Sequence, residues 1–120
     1  MHERDFLLFE SILLHIELIE QRFRNIEKAD DFIETTEGNI LLDAIAIRLQ
    51  ALSENTKKIF KKNPGLENQY PLANWNEIIR FRDLISHHYE ILNHQIIFSI
   101  CKEHIPVLKK IIQKIISERS

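Results

Sequence analysis

The sequence predicts an all-α protein, an antiparallel up-and-down four-helix bundle, and three observations carry that prediction. Two glycines and three prolines in 120 residues leave few places where a helix must stop. Hydrophobic residues make up 44% of the chain, enough to bury a real core in one domain spanning 1–120. Apolar residues recur at steps of three and four over long stretches, the period of one helix face.

The first helix is expected from about Asp5 to Glu27, with Phe9, Ile12, Ile16, Ile19, Phe23 and Ile26 as its buried stripe. Leu7, Leu13, Leu14 and Leu18 broaden the apolar surface, so this helix should meet neighbours on two sides, within the domain or across a dimer. Asp30 or Asp31 is expected to cap a short helical turn carrying Phe32 and Ile33. Turn and capping residues cluster in Thr35-Thr36-Glu37-Gly38-Asn39, which reads as a break. The second helix then runs from about Ile40 to Lys61 on a stripe of Leu41, Ile45, Leu49, Leu52 and Ile59, with Thr56 in the one polar place. Its end carries Lys57, Lys58, Lys61 and Lys62. Cations there suit the negative end of the helix dipole; the other reading is a patch that touches phosphate.

Asn63-Pro64-Gly65 stops this helix. The connector to Ala73 is long for a bundle and is therefore a candidate functional loop. A third helix is expected from Trp75 to about His88, with Asn74 as N-cap and Glu77 reaching back to the cap's own amide. Tyr89 to Leu92 should be a bend or a continuation, and Asn93 can cap the last helix, His94 to Ser117. There Ile97, Cys101, His104, Leu108, Ile111 and Ile115 form one stripe, and Pro106 predicts a kink.

Composition narrows the function classes. The net charge is −2, so no global basic footprint exists and any nucleic-acid contact must rest on local patches. No apolar run reaches the length needed to span a bilayer. The N-terminus, Met-His-Glu-Arg-Asp, lacks the basic segment and apolar core of a signal peptide, so a cytoplasmic location is expected. A single cysteine, Cys101, excludes an intrachain disulfide, fits a reducing compartment and lies in an apolar pattern as a small core residue.

The chemistry concentrates between Trp75 and Tyr89. Arg82 is followed after four residues by His87 and after one more by Tyr89. An arginine is always cationic and forks onto phosphate oxygens, and a histidine titrates near neutral pH and can move protons. Together they are the minimum side-chain equipment for cleaving RNA without a metal. On an unbroken helix Arg82 and Tyr89 share a face with Ile78 and Ile85. Arg82 and His87 stand about 140° apart on such a helix, so they converge only if it ends or bends near Ser86, or if a dimer supplies both copies. Asp83 and His87 are at i, i+4 and can touch, which would orient the imidazole and favour its charged form. Asp83 and Ser86 are thus supporting residues; Arg80, Lys61 and Lys62 are at best guides for the RNA backbone. Each residue alone has a plainer reading: an ion-paired surface arginine, a structural histidine, a half-buried packing tyrosine. His87, His88 and His94 crowd together and Glu90 could chelate with His94, but the Glu-x-x-His repeats of di-iron bundles are absent and no metal is expected. His15 and His104 read as packing or surface residues.

At these residues the chain resembles the HEPN superfamily and, within it, the HepT-like toxins of MNT/HEPN toxin–antitoxin modules. Trp75 and Ile78, then Arg82-Asp83, His87 and Tyr89, then Ile105-Pro106 carry the resemblance, together with helix order and lengths over most of the chain. One position departs from the family pattern. Asp83 replaces an asparagine, and the carboxylate would either sharpen the histidine as a proton donor or repel the substrate and attenuate the enzyme. The resemblance implies a metal-independent endoribonuclease that needs no cofactor, a homodimer whose two motifs line one cleft, with Arg82 and His87 catalytic. It also implies a partner, a small nucleotidyltransferase antitoxin that transfers AMP to Tyr89. The rival expectation is a non-catalytic module whose apolar first and last helices serve dimerisation and docking, binding the nucleotidyltransferase or a nucleotide.

Overall fold

The structure, a computed structural model, describes residues 3–71, 73–88 and 91–119, with 86–88 described by their backbone only. Helices α1 (Glu3–Phe23) and α2 (Thr36–Lys62) form a long antiparallel pair. Phe9, Ile12, Ile16 and Ile19 are buried as their spacing requires, and so are Ile45, Leu49, Leu52 and Ile59 of α2. Along the seam Asn63 donates to the Asp5 carboxylate (3.0 Å), Asn55 to the Ser11 hydroxyl (3.2 Å) and Arg48 to His15 Nδ1 (3.4 Å). These three contacts fix the register of the pair.

Helix α2 begins at Thr36, ahead of the expected Ile40, because Thr35 is the N-cap: its hydroxyl accepts from the Gly38 N–H at 2.9 Å. The residues read as a break therefore form the first turn. Gly38 is required there, since a Cβ would collide with the carbonyl oxygen of Asp31 in the preceding segment. Leu42 is buried where Leu41 was expected, and Leu41 is only half-buried. The preceding segment contains a short 3-10 turn, Ala29–Phe32, whose Asp31 carboxylate accepts from the N–H groups of Glu27 (2.8 Å) and Lys28 (3.1 Å). Phe32 is fully buried; Ile33, expected beside it, is 48% exposed.

Gly65 takes the left-handed conformation (φ 92°) after α2. The connector is packed. Helix α3 (Leu66–Gln69) leads to buried Tyr70, whose hydroxyl donates to Glu118 at 2.7 Å and whose carbonyl accepts from the Trp75 indole at 2.9 Å.

The third helix departs most from expectation. It is two short helices, α4 (Trp75–Ile79) and α5 (Phe81–Ile85), with Arg80 at the break. The Ser53 hydroxyl of α2 donates to the Ile79 carbonyl at 2.6 Å. The helix stops at Ile85 rather than near His88, because the returning chain captures its end: the Asn93 N–H donates to the Ile85 carbonyl at 2.7 Å. Strands β1 (Ser86–His88) and β2 (Ile91–Leu92) pair antiparallel between those points. Among the described residues the regular structure is thus helical apart from one minimal hairpin.

Asn93 caps α6 (His94–Ser99), its side chain accepting from the Ile96 N–H at 3.0 Å. A π-turn, Ile100–His104, joins α6 to α7 (Ile105–Arg119). The irregularity expected at Pro106 takes this form one turn earlier. Proline has no N–H to offer the Lys102 carbonyl and its ring crowds that group, so the turn widens and the Ile105 N–H bonds Ile100 instead. Ile97, Cys101, Leu108, Ile111 and Ile115 are buried as expected, whereas His104 is half-buried and polar-partnered. Helix α7 packs on α1, while α4, α5 and α6 pack on α2. No described helix is long and apolar enough to cross a membrane.

Candidate functional site

The segment around Arg82 is held by its apolar residues first. Ile78, Phe81 and Ile85 are buried at steps of three and four, which leaves Arg82 and Asp83 exposed. The N-cap is Asn74, whose Oδ1 accepts from the Glu77 N–H at 3.2 Å. Glu77 answers not to the cap's amide but to its side chain, accepting from Nδ2 at 3.1 Å. Its other carboxylate oxygen meets His104 Nε2 at 3.4 Å, and the His104 ring stands edge-on to Phe81, centroids 6.0 Å apart. Trp75 is buried edge-to-face on Phe60 at 5.0 Å. The start of α4 is therefore tied to α2, to the turn before α7 and to the connector.

Arg82 donates from Nη1 to Glu54 Oε1 of α2 at 3.1 Å, with the two side chains 61% and 46% exposed. This partner was not visible in the sequence, because Glu54 lies far upstream on what reads as a solvated helix face. The contact uses one donor of a many-donor fork. An exposed pair of this kind contributes about 0–1 kcal/mol, so a phosphate oxygen can compete with it. Asp83 is also exposed, so Arg82 has two carboxylates beside it, those of Glu54 and Asp83.

His87 lies in β1. Ser86 pairs with Leu92 and His88 with Ile91, which leaves His87 as the extra residue of an irregular, bulge-like step. Bulges re-aim the chain and are common beside active sites. The requirement that the helix end near Ser86 is met at the backbone. The described motif helix ends at Ile85, so Asp83 and His87 do not lie on one helix, and Arg82 is not followed by an unbroken helix that would carry its face on to position 89. Tyr89 and Glu90 lie outside the described residues, and of Ser86 and His87 only the backbone is described. His94 contacts Asp30 at 3.2 Å.

Arg80 is exposed at the end of α4, beside the motif. Lys61 and Lys62 are elsewhere. They sit about 10 Å further along α2 than Glu54, at a rise of about 1.5 Å per residue. There they line a groove of about 480 Å³ with Arg4, Leu7, Leu8 and Lys58. Cys101 is buried and its thiol is pushed up to about 12 by that burial, which suits a core residue and not a nucleophile. His15 is held below its ordinary value, first by burial and then by the Arg48 charge.

The model of a protein family described as Ribonuclease HepT-like matches residues 12–115, a span that contains Arg82, His87 and Tyr89. No solved structure matches the chain.

Proposed function

The chain belongs to the ribonuclease HepT-like family, and from that premise we propose that it is a metal-independent endoribonuclease, the toxin of a toxin–antitoxin pair. The ribose 2′-hydroxyl attacks the adjacent phosphorus, the new O2′–P bond forms and the P–O5′ bond breaks. His87 takes the hydroxyl proton or delivers one to the leaving oxygen. Arg82 grips the phosphate and stabilises the charge that builds on its oxygens. Asp83 and Ser86 support the pair, and Arg80 guides the strand. An up-and-down four-helix plan and a homodimer that brings two motifs to one cleft belong to the same reading.

One observation supports it above the others. The motif helix stops at Ile85 and the chain turns back through a hairpin, which removes the angular separation that a straight helix would impose on Arg82 and His87. The test is RNA cleavage by Arg82→Ala and His87→Ala protein of unchanged helicity. Cleavage should disappear in both, and cleavage at the wild-type rate by either would end the assignment. The partner is a small nucleotidyltransferase that transfers AMP to Tyr89, placing a bulky phosphodiester beside the phosphate site. Co-expression should add the mass of AMP to wild-type protein and not to Tyr89→Phe; an unmodified wild type would refute this step.

The carboxylates of Glu54 and Asp83 around Arg82 favour a second reading, a non-catalytic module that binds the nucleotidyltransferase or a nucleotide. Growth arrest on expression, relieved by His87→Ala, selects the nuclease. Tolerated expression with tight partner binding selects the module.

A further inference from the structure

We propose that the groove between the first turns of α1 and the last turns of α2 is a track for single-stranded RNA, extending the cleavage site along α2. The identity of the strand rests on the ribonuclease reading; the binding itself does not need the cleavage chemistry.

The chain as a whole is slightly acidic, yet four cations converge on this one groove: Arg4, Lys58, Lys61 and Lys62. No acidic side chain among the described residues lines it. Asp5, next to Arg4, is buried and accepts from Asn63 instead. The helix dipole accounts for lysines at the end of α2, but it disfavours a cation in the first turn of α1. The dipole does not account for Arg4, which the groove gathers with the three lysines. Leu7 and Leu8 supply an apolar floor, and Leu7 is 57% exposed. Cations around an exposed apolar surface suit a ligand that alternates negative charge with flat apolar faces. A single-stranded nucleic acid is such a ligand, with phosphates for the walls and bases for the floor.

Position along α2 connects the groove to the motif. Glu54, Lys58 and Lys61 recur at steps of four and three, so they share one face of the helix. Arg82 docks on the first of them. A strand gripped by Arg82 and led along that face reaches Lys58 one turn later and Lys61 at the next, then enters the groove.

The experiment measures binding of a long, fully 2′-O-methylated single-stranded RNA, which cannot be cleaved, to the full chain at low and moderate salt. Lys61→Glu/Lys62→Glu should weaken binding about tenfold at low salt. Its log–log salt slope should fall in magnitude by roughly 1.4, at about 0.7 for each phosphate of a single strand that is no longer neutralised. Lys110→Glu on α7 serves as a control for general charge and should change little. Leu7→Ser, at an exposed site, should weaken binding without changing the salt slope. An unaltered affinity and slope in the double variant would overturn the proposal. So would an equal loss in the Lys110 control, no RNA binding by the wild type, or a groove that takes polyglutamate in preference to RNA. Groove-dependent binding without cleavage of ordinary RNA would keep the track and sink the ribonuclease reading, so the two failures are distinguishable.

Discussion

Arg82 gives one N–H of its fork to Glu54, and in the proposed reaction Asp83 is the neighbouring charge that sets how well a phosphate is received. With the helix ended at Ile85, Asp83 and His87 do not lie on one helix. Asp83 is an exposed carboxylate beside the proposed phosphate site. Repulsion near a protein surface is on the order of 1 kcal/mol once screened by water, a factor of about five. Asp83→Asn should therefore lower KM for RNA about three- to tenfold while kcat changes less. Steady-state kinetics on one substrate checks this; a raised KM or a collapsed kcat would mean that the carboxylate assists the reaction.

Short contacts from α2 set the shape of the motif segment. Ser53 donates to Ile79 at the α4–α5 break, the neighbouring Glu54 holds Arg82, and the returning Asn93 amide closes the end of α5. The motif is thus a bent strip pinned on both sides of Arg82. Ser53 is 2% exposed, so Ser53→Ala leaves a carbonyl short of a donor in a dry place at a cost of about 1–2 kcal/mol. That is similar to losing a helix cap such as Asn93, at ~1 kcal/mol. Urea unfolding should show comparable losses for Ser53→Ala and Asn93→Ala. Cleavage should fall further in Ser53→Ala, because that contact lies on the motif segment itself. Equal activity in the two variants would remove the special place given to Ser53.

The whole molecule is an elongated body of 44 × 26 × 22 Å whose long α1–α2 seam carries a polar line in an otherwise apolar contact. His15 lies in that line, facing Ser11 and the Arg48 guanidinium, and its pKa is lowered by burial and then by Arg48. The unfolded chain therefore takes up a proton at this site before the folded one does. The stability His15 contributes is complete above the ordinary histidine value of about 6.5 and is lost as pH falls through the lowered folded value. His94 and His104 face the carboxylates of Asp30 and Glu77, so the comparison must be made against a variant at one site. Thermal melts from about pH 8 to pH 5 should show a steeper fall for the wild type than for His15→Gln. Parallel curves would mean that His15 is not a source of acid sensitivity.

Local order was legible in the chain because periodicity, caps and stops are written in neighbouring residues. Most of the α1 and α2 stripes (Phe9, Ile12, Ile16 and Ile19; Ile45, Leu49, Leu52 and Ile59), the caps Asn74 and Asn93, the stop at Asn63-Pro64-Gly65 and the core place of Cys101 follow from spacing and side-chain type. The Arg82-x4-His87-x-Tyr89 motif was equally readable, since its members lie within one short segment. Only the tertiary structure decided where the motif helix ends and what Arg82 touches. Both depend on groups distant in sequence, the Asn93 amide, the Ser53 hydroxyl and the Glu54 carboxylate, whose reach no helical period encodes. For the same reason Lys61 and Lys62 could be read as cations but not placed: the docking of Arg82 on Glu54, about two turns earlier in α2, sets them apart from it, and the packing of α1 against α2 joins them with Arg4 in one groove.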